Sequence, residues 1–143
     1  MEIQIEPITL RHAQAVQRLS QQLGYALFLN EIENNIKEVI INNDHVAFVA
    51  IANGEVAGWI HAFKAFLLES NSFIEIGGLI VDENYRSSGI GKKLVERIKQ
   101  WCSERKVSTL RVRSQVKRNE AHQFYLNNGF TEIKEQKVFQ ISL

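Results

Sequence analysis

The chain has 143 residues, with 17 basic against 16 acidic side chains, a net charge of +1 and 45% hydrophobic content. That length supports one domain, residues 1–143, with a sizeable core, and the near-balanced charge gives no electrostatic case for nucleic acid or an anionic membrane. One cysteine, Cys102, excludes an intrachain disulfide and fits a reducing compartment.

In chain order, Ile3, Ile5 and Pro7 open with strand alternation. Thr9 is placed to cap a helix whose apolar face is Leu10, Ala13, Val16 and Leu19, ending at Gly24. Leu29, Ile32, Ile36, Val39 and Ile40 repeat at helical spacing. Strands are expected over 46–52 and 56–66, joined by Asn53-Gly54, a dipeptide that favours a tight hairpin. Residues 73–81 form a more buried strand, interrupted by Gly77-Gly78. Glycine inside a strand marks a bulge, or room for a bulky neighbour such as Trp59 or Trp101. Ile90, Leu94, Ile98 and Trp101 line one face of a helix starting near Gly89, with Val95 and Cys102 beside them. A strand over 107–114, a short helix over 119–128 stopped by Gly129, and a closing hairpin of 130–133 with 137–141 complete a mixed α/β chain. No apolar run reaches membrane-spanning length, and the N-terminus lacks the basic and apolar regions of a secretion signal, so a cytoplasmic protein is expected.

The most informative stretch is Arg86-Ser87-Ser88-Gly89-Ile90-Gly91. It lies between a buried strand and a helix start, where free backbone N–H groups and the helix dipole favour an anion and glycine lets a phosphate approach the backbone. It is not a P-loop: Arg86 stands where the first glycine belongs, and Lys93 replaces the hydroxyl residue after Gly91-Lys92. It is not a dinucleotide fingerprint, since Leu94 occupies the third glycine position. An Arg-x-x-Gly-x-Gly loop after a strand ending in Val81-Asp82 instead resembles the acetyl-CoA pyrophosphate loop of the GNAT N-acetyltransferases. The segment Asn119-Glu120-Ala121-His122-Gln123-Phe124-Tyr125-Leu126-Asn127-Asn128-Gly129-Phe130 resembles a second motif of that superfamily. The likeness covers the whole chain in layout and residues 73–131 in detail.

This resemblance implies a mixed central sheet with a splayed or bulged strand, flanked by helices, and transfer of an acetyl group from acetyl-CoA to a primary amine of a small molecule or peptide. It implies cofactor contacts from Leu79, Ile80, Val81, Arg86, Ser87, Ser88, Gly89, Ile90, Gly91, Lys92 and Asn119. Tyr125 becomes the candidate acid for the departing thiolate, against a plain core aromatic. Glu75, the one charge in its strand, is either a base or ammonium anchor, or an ion-pair partner of Arg111 or Arg113. His122, His61, His12 and His45 are weaker candidates, the last two peripheral, and no histidine has metal-ligand spacing, so no metal is expected. Tyr25, Phe28 and Phe66 could wall an acceptor pocket, with Glu31 and Glu33 attracting a cation. The chain could act as a homodimer. A non-catalytic acyl-CoA-binding or regulatory module is the alternative.

Overall fold

A computed structural model describes residues Met1–Leu143. Its elements are β1 (Ile3–Pro7), α1 (Ala13–Gln21), α2 (Leu29–Ile41), β2 (His45–Ala52), β3 (Glu55–Ala65), β4 (Phe73–Val81), α3 (Ile90–Glu104), β5 (Leu110–Val112) and α4 (Asn119–Asn127). They fall into two compact units, Met1–Val112 and Arg113–Leu143.

The first unit is a five-stranded sheet in the order β1-β2-β3-β4-β5. β1 to β4 run antiparallel, and β5 lies parallel to β4. Asn53 and Gly54 take φ of 52° and 79°, so the β2–β3 turn is a tight hairpin closed by Ala52 opposite Glu55. Helices cover both faces. On one, Ala13, Val16 and Leu19 of α1 and Ile32 and Ile36 of α2 pack with Ala47, Val49 and Ile80, and Trp59 lies against them. On the other, α3 buries Ile90, Leu94, Val95, Ile98, Trp101 and Cys102. Gly58 admits it closely: a β-carbon there would come within 3.1 Å of Ile90. Burial pushes the Cys102 thiol pKa up, which keeps it protonated. No helix is long and apolar enough to cross a membrane.

Three expectations for the first unit change, and one for the second. Thr9 precedes a single turn of 3-10 helix, Leu10–His12, rather than α1 itself. Its N–H donates to His12 Nδ1 at 3.0 Å, and His12 is 5% exposed rather than peripheral. The strand expected over 107–114 contracts to Leu110–Val112, because its ladder with β4 spans only Ile74–Ile76.

The second unit holds α4, which ends where Gly129 takes φ of 91°. The Phe130 N–H then returns to the Tyr125 carbonyl at 3.0 Å. The closing hairpin expected from 130 to 141 does not form: those residues have neither helix nor strand. The apolar pattern is present, but a strand also needs a backbone to pair with, and no pattern supplies that.

Candidate active site

β4 carries the site's central feature. His61 faces Gly78 and Ala62 faces Ile76, so Gly77 is an extra residue, a bulge. β-carbons on these glycines would meet neighbours: Gly77 at 2.9 Å from His61 Nδ1, Gly78 at 2.8 Å from the Trp59 ring. The bulge and the room for a bulky neighbour, Trp59 rather than Trp101, therefore coexist. At the same point β4 parts from β5. The parallel ladder ends at Ile76 opposite Val112, while β4 continues to Val81 paired with β3 alone. Backbone groups of Gly77–Val81 on that side face no strand. Ile80 is 6% exposed and belongs to the core under α1 and α2, so only its backbone is offered to a ligand.

Beyond β4 the chain makes one 3-10 turn, Glu83–Tyr85, and reaches α3 through Arg86, Ser87, Ser88 and Gly89. Ser87 and Gly89 take φ of 65° and 88°. The first intrahelical bond runs from the Lys93 N–H to the Gly89 carbonyl at 3.1 Å, so the N–H groups of Gly89, Ile90, Gly91 and Lys92 have no helical acceptor. No acidic side chain stands in the first turn, and Lys92 and Lys93 are exposed. Around a β-carbon built on Gly89 there is open space for 4 Å. These are the requirements of an anion cradle. Arg86 and Ser87 are exposed beside it, whereas the Ser88 hydroxyl donates to the Tyr85 carbonyl and Ile90 is buried.

Asp82, 4% exposed, ties the segment between β4 and α3 to α1. It accepts from Arg18 at 3.0 Å, Gln22 at 3.4 Å and the Asn84 N–H at 3.0 Å. Arg18 also donates to the Val56 carbonyl at 3.0 Å, and Gln22 accepts from the Glu83 N–H at 3.1 Å. Burial alone would raise the Asp82 pKa, but these donors and the Arg18 charge hold it below the ordinary value. Sequence reading missed this network, because α1 and the end of β4 are far apart in the chain.

A histidine pair was missed too. His45 Nδ1 and His61 Nε2 are 2.9 Å apart, and their rings stack with centroids 5.2 Å apart. Burial, then the neighbouring His45, lowers the His61 pKa to about 4, so its ring is neutral at ordinary pH. Counting back from Asn53-Gly54 through a regular hairpin would set His45 opposite Ala62, on the other face from His61; the irregularity between Ala50 and Ile51 shifts the register so that His45 faces Phe63 and lies diagonal to His61 on one face. Glu75 faces Phe63 across the β3–β4 ladder and Arg111 across the β4–β5 ladder. The Arg111 guanidinium lies over the Phe73 ring, 4.4 Å from its centroid. Glu75 thus shares the face of Phe63, His61 and Trp59 beside the bulge. Of the acceptor candidates, Tyr25, Phe28 and Phe66 are 52%, 74% and 74% exposed, and Glu31 accepts from the Phe28 N–H at the start of α2.

In the second unit, Asn119 is exposed at the start of α4. The Tyr125 ring meets Phe124 and Phe130 edge-on, with centroids 5.3 and 5.4 Å away. Burial raises its pKa, which the Arg118 charge only partly offsets, so the phenol keeps its proton at neutral pH. The His122 ring lies 2.7 Å from the Gln115 carbonyl.

A family model described as the acetyltransferase (GNAT) family matches residues 11–130. The chain belongs to this family. Its fold is also that of solved GNAT-type acetyltransferases. AAC(6')-Iy in complex with a bisubstrate analogue, CoA-S-monomethyl-acetylneamine, superposes with a TM-score of 0.89 at 16% identity, covering 100% of both chains. The aminoglycoside 6'-N-acetyltransferase AAC(6')-Ih from Acinetobacter baumannii gives 0.86 at 16% identity over 99% of both. A transcriptional regulator from Bacillus halodurans C-125 gives 0.85 at 17% identity, covering 98% of this chain and 100% of that one. Likeness at such identities shows the fold and does not choose among these activities. The bulged β4, the unpaired side of Gly77–Val81 and the α3 N-terminus follow one another along the chain within the first unit.

Proposed function

We propose that the protein transfers the acetyl group of acetyl-CoA to a primary amine of a small molecule or peptide, by direct attack of the amine nitrogen on the thioester. The observation that carries this reading is the parting of β4 from β5 shortly before a helix start whose first N–H groups have no helical acceptor and whose first turn has no acidic residue. That arrangement fits a long ligand with a phosphate-bearing end: backbone of Leu79, Ile80 and Val81 along one part, and Arg86, Ser87, Ser88, Gly89, Ile90, Gly91 and Lys92 around the other. Asn119 is assigned a further contact. When bound, acetyl-CoA supplies the activated acetyl group.

The chain supplies position and protons. Backbone N–H groups beside the bulge are suited to hold the carbonyl oxygen. Tyr125, protonated at neutral pH, is assigned as donor to the departing sulfur. Glu75 is assigned to the acceptor ammonium, as its anchor or its base, on the face where neutral His61 also lies. A small polycationic amine is the favoured acceptor class, since Glu75 and the partly exposed Glu33 offer it negative charge.

Free-thiol release with amino acids, polyamines, aminoglycosides and peptide N-termini tests this reading. Saturable release with at least one amine is expected. Tight acetyl-CoA binding with no release for any amine would favour the non-catalytic module, a reading kept open by the regulator of the same fold.

A further inference from the structure

The β2–β3 hairpin brings two imidazoles to the bulge. His45 faces Phe63 and His61 faces Gly78, on the sheet face that carries Glu75. His45 Nδ1 and His61 Nε2 are 2.9 Å apart, a hydrogen bond that one ring must donate and the other accept. The His45 ring stacks on His61 and on Phe63, with centroids 5.2 and 5.4 Å away, which holds the pair in place. Each ring has one nitrogen left over, Nε2 on His45 and Nδ1 on His61, and neither is closed off from solvent.

His61 Nδ1 lies against the bulge. A β-carbon on Gly77 would come within 2.9 Å of it. Gly77 does not take a positive φ, so its backbone does not demand glycine. The missing side chain serves space, and this nitrogen is what it leaves uncovered. The residues that α1 and α2 bury carry no charge, while on the sheet Glu75 lies past Phe63 with Arg111 opposite. Burial, then His45, keeps His61 neutral. A neutral imidazole can take a proton at one nitrogen while the other gives one up, and so never carries charge.

We propose that His61 and His45 form a relay that carries the proton shed by the acceptor nitrogen out to solvent. The inference rests on the acetyl-transfer reading above. As the nitrogen bonds to the acyl carbon, one of its N–H bonds breaks and the electron pair stays on nitrogen. His61 Nδ1 takes that proton, His61 Nε2 passes its own to His45 Nδ1, and His45 Nε2 releases one to water. One proton enters and one leaves. After the product departs, the reverse shift restores the pair: water protonates His45 Nε2, and His61 Nδ1 returns a proton to water. His61 is then a catalytic residue, His45 completes its path, and Glu75 keeps the role of anchor.

Nitrogen-15 NMR of the imidazoles in the full chain reads the tautomers without turnover. The relay requires His61 to carry its proton on Nε2, with His45 Nδ1 accepting it. The opposite pair, with His61 Nδ1 protonated, overturns the relay. Kinetics supply the second test. His45→Phe should lower kcat by on the order of tenfold and His61→Phe at least as much, with acetyl-CoA affinity unchanged. The double variant should lose no more than His61→Phe alone, since one path breaks only once. Free imidazole should restore part of the rate of His61→Ala, which a packing role would not allow. Parental turnover in His45→Phe, additive losses or failed rescue each overturn the relay and leave acetyl transfer standing. A parent chain that releases thiol with no amine overturns acetyl transfer, and the relay with it. If the variants fail to fold, the tautomers of the parent decide.

Discussion

β4 and the segment after α4 are both built from branched and aromatic side chains, and they meet opposite fates. In β4, Phe73, Ile74, Ile76 and Ile80 are all at most 6% exposed, between helices on either face and with β3 alongside for the strand's whole length. After α4, Phe139 and Ile141 are 87% and 79% exposed. Side-chain pattern decides which face would be buried, whereas a neighbour decides whether anything is buried. The contrast extends to the chemistry. The proposed cofactor cradle follows a segment tied to α1 through Asp82, while the proposed acid, Tyr125, sits in a unit with no buried residue. Changes to the packing of β4 should therefore register as stability, and changes on α4 as rate.

Tyr125→Phe should show the largest effect. It removes one hydroxyl from a half-buried ring and keeps the contacts with Phe124 and Phe130. We expect kcat to fall by on the order of tenfold to a thousandfold, with acetyl-CoA affinity and the melting curve nearly unchanged. Equal turnover, with chemistry shown to be rate-limiting, would return Tyr125 to a packing role and remove that half of the contrast.

Gly77→Val should do the reverse. Its β-carbon would fall 2.9 Å from His61 Nδ1 and 3.3 Å from Phe63, against a ring tied to His45. Overpacking of that kind costs roughly 1–3 kcal/mol. Urea melts should show it, and a variant as stable as the parent would mean that the bulge is soft rather than preformed.

A smaller effect should appear with pH. The folded-state His61 pKa, about 4, lies below the ordinary 6.5, so the unfolded chain takes up the proton first. Stability should be full above 6.5 and decline as pH falls from there towards 4. His12, lowered chiefly by burial, acts in the same direction. Asp82, also lowered, adds its own loss only below 3.8, which separates the two by pH range. His61→Phe should flatten the decline between 6.5 and 4 relative to the parent; an unchanged slope would assign it to other groups.

Much of the first unit was legible in the chain. The bounds of β4 and the start of α3 followed from a continuous apolar run and from helical spacing after Gly89, because both are local signals. Gly77-Gly78 announced the bulge for the same reason. The Asp82 network was not legible, since Arg18, Val56 and Asp82 meet only after folding. Nor was the His45–His61 contact, whose register depends on an irregularity between Ala50 and Ile51. The hairpin expected over 130–141 failed for a different reason: its residues have the pattern of strands, and pairing is not written in pattern. Acceptor specificity stayed hidden because exposed Tyr25, Phe28 and Phe66 follow no spacing that names a substrate.

The most direct test of the account is calorimetric titration of acetyl-CoA into Gly89→Val. Gly89 takes φ of 88°, which disfavours valine, and its β-carbon would enter the open space assigned to the phosphates without touching the fold. The account predicts a variant with near-parental circular dichroism and binding weaker by on the order of a hundredfold or more, about 2.7 kcal/mol. A folded variant that binds acetyl-CoA as tightly as the parent would contradict it.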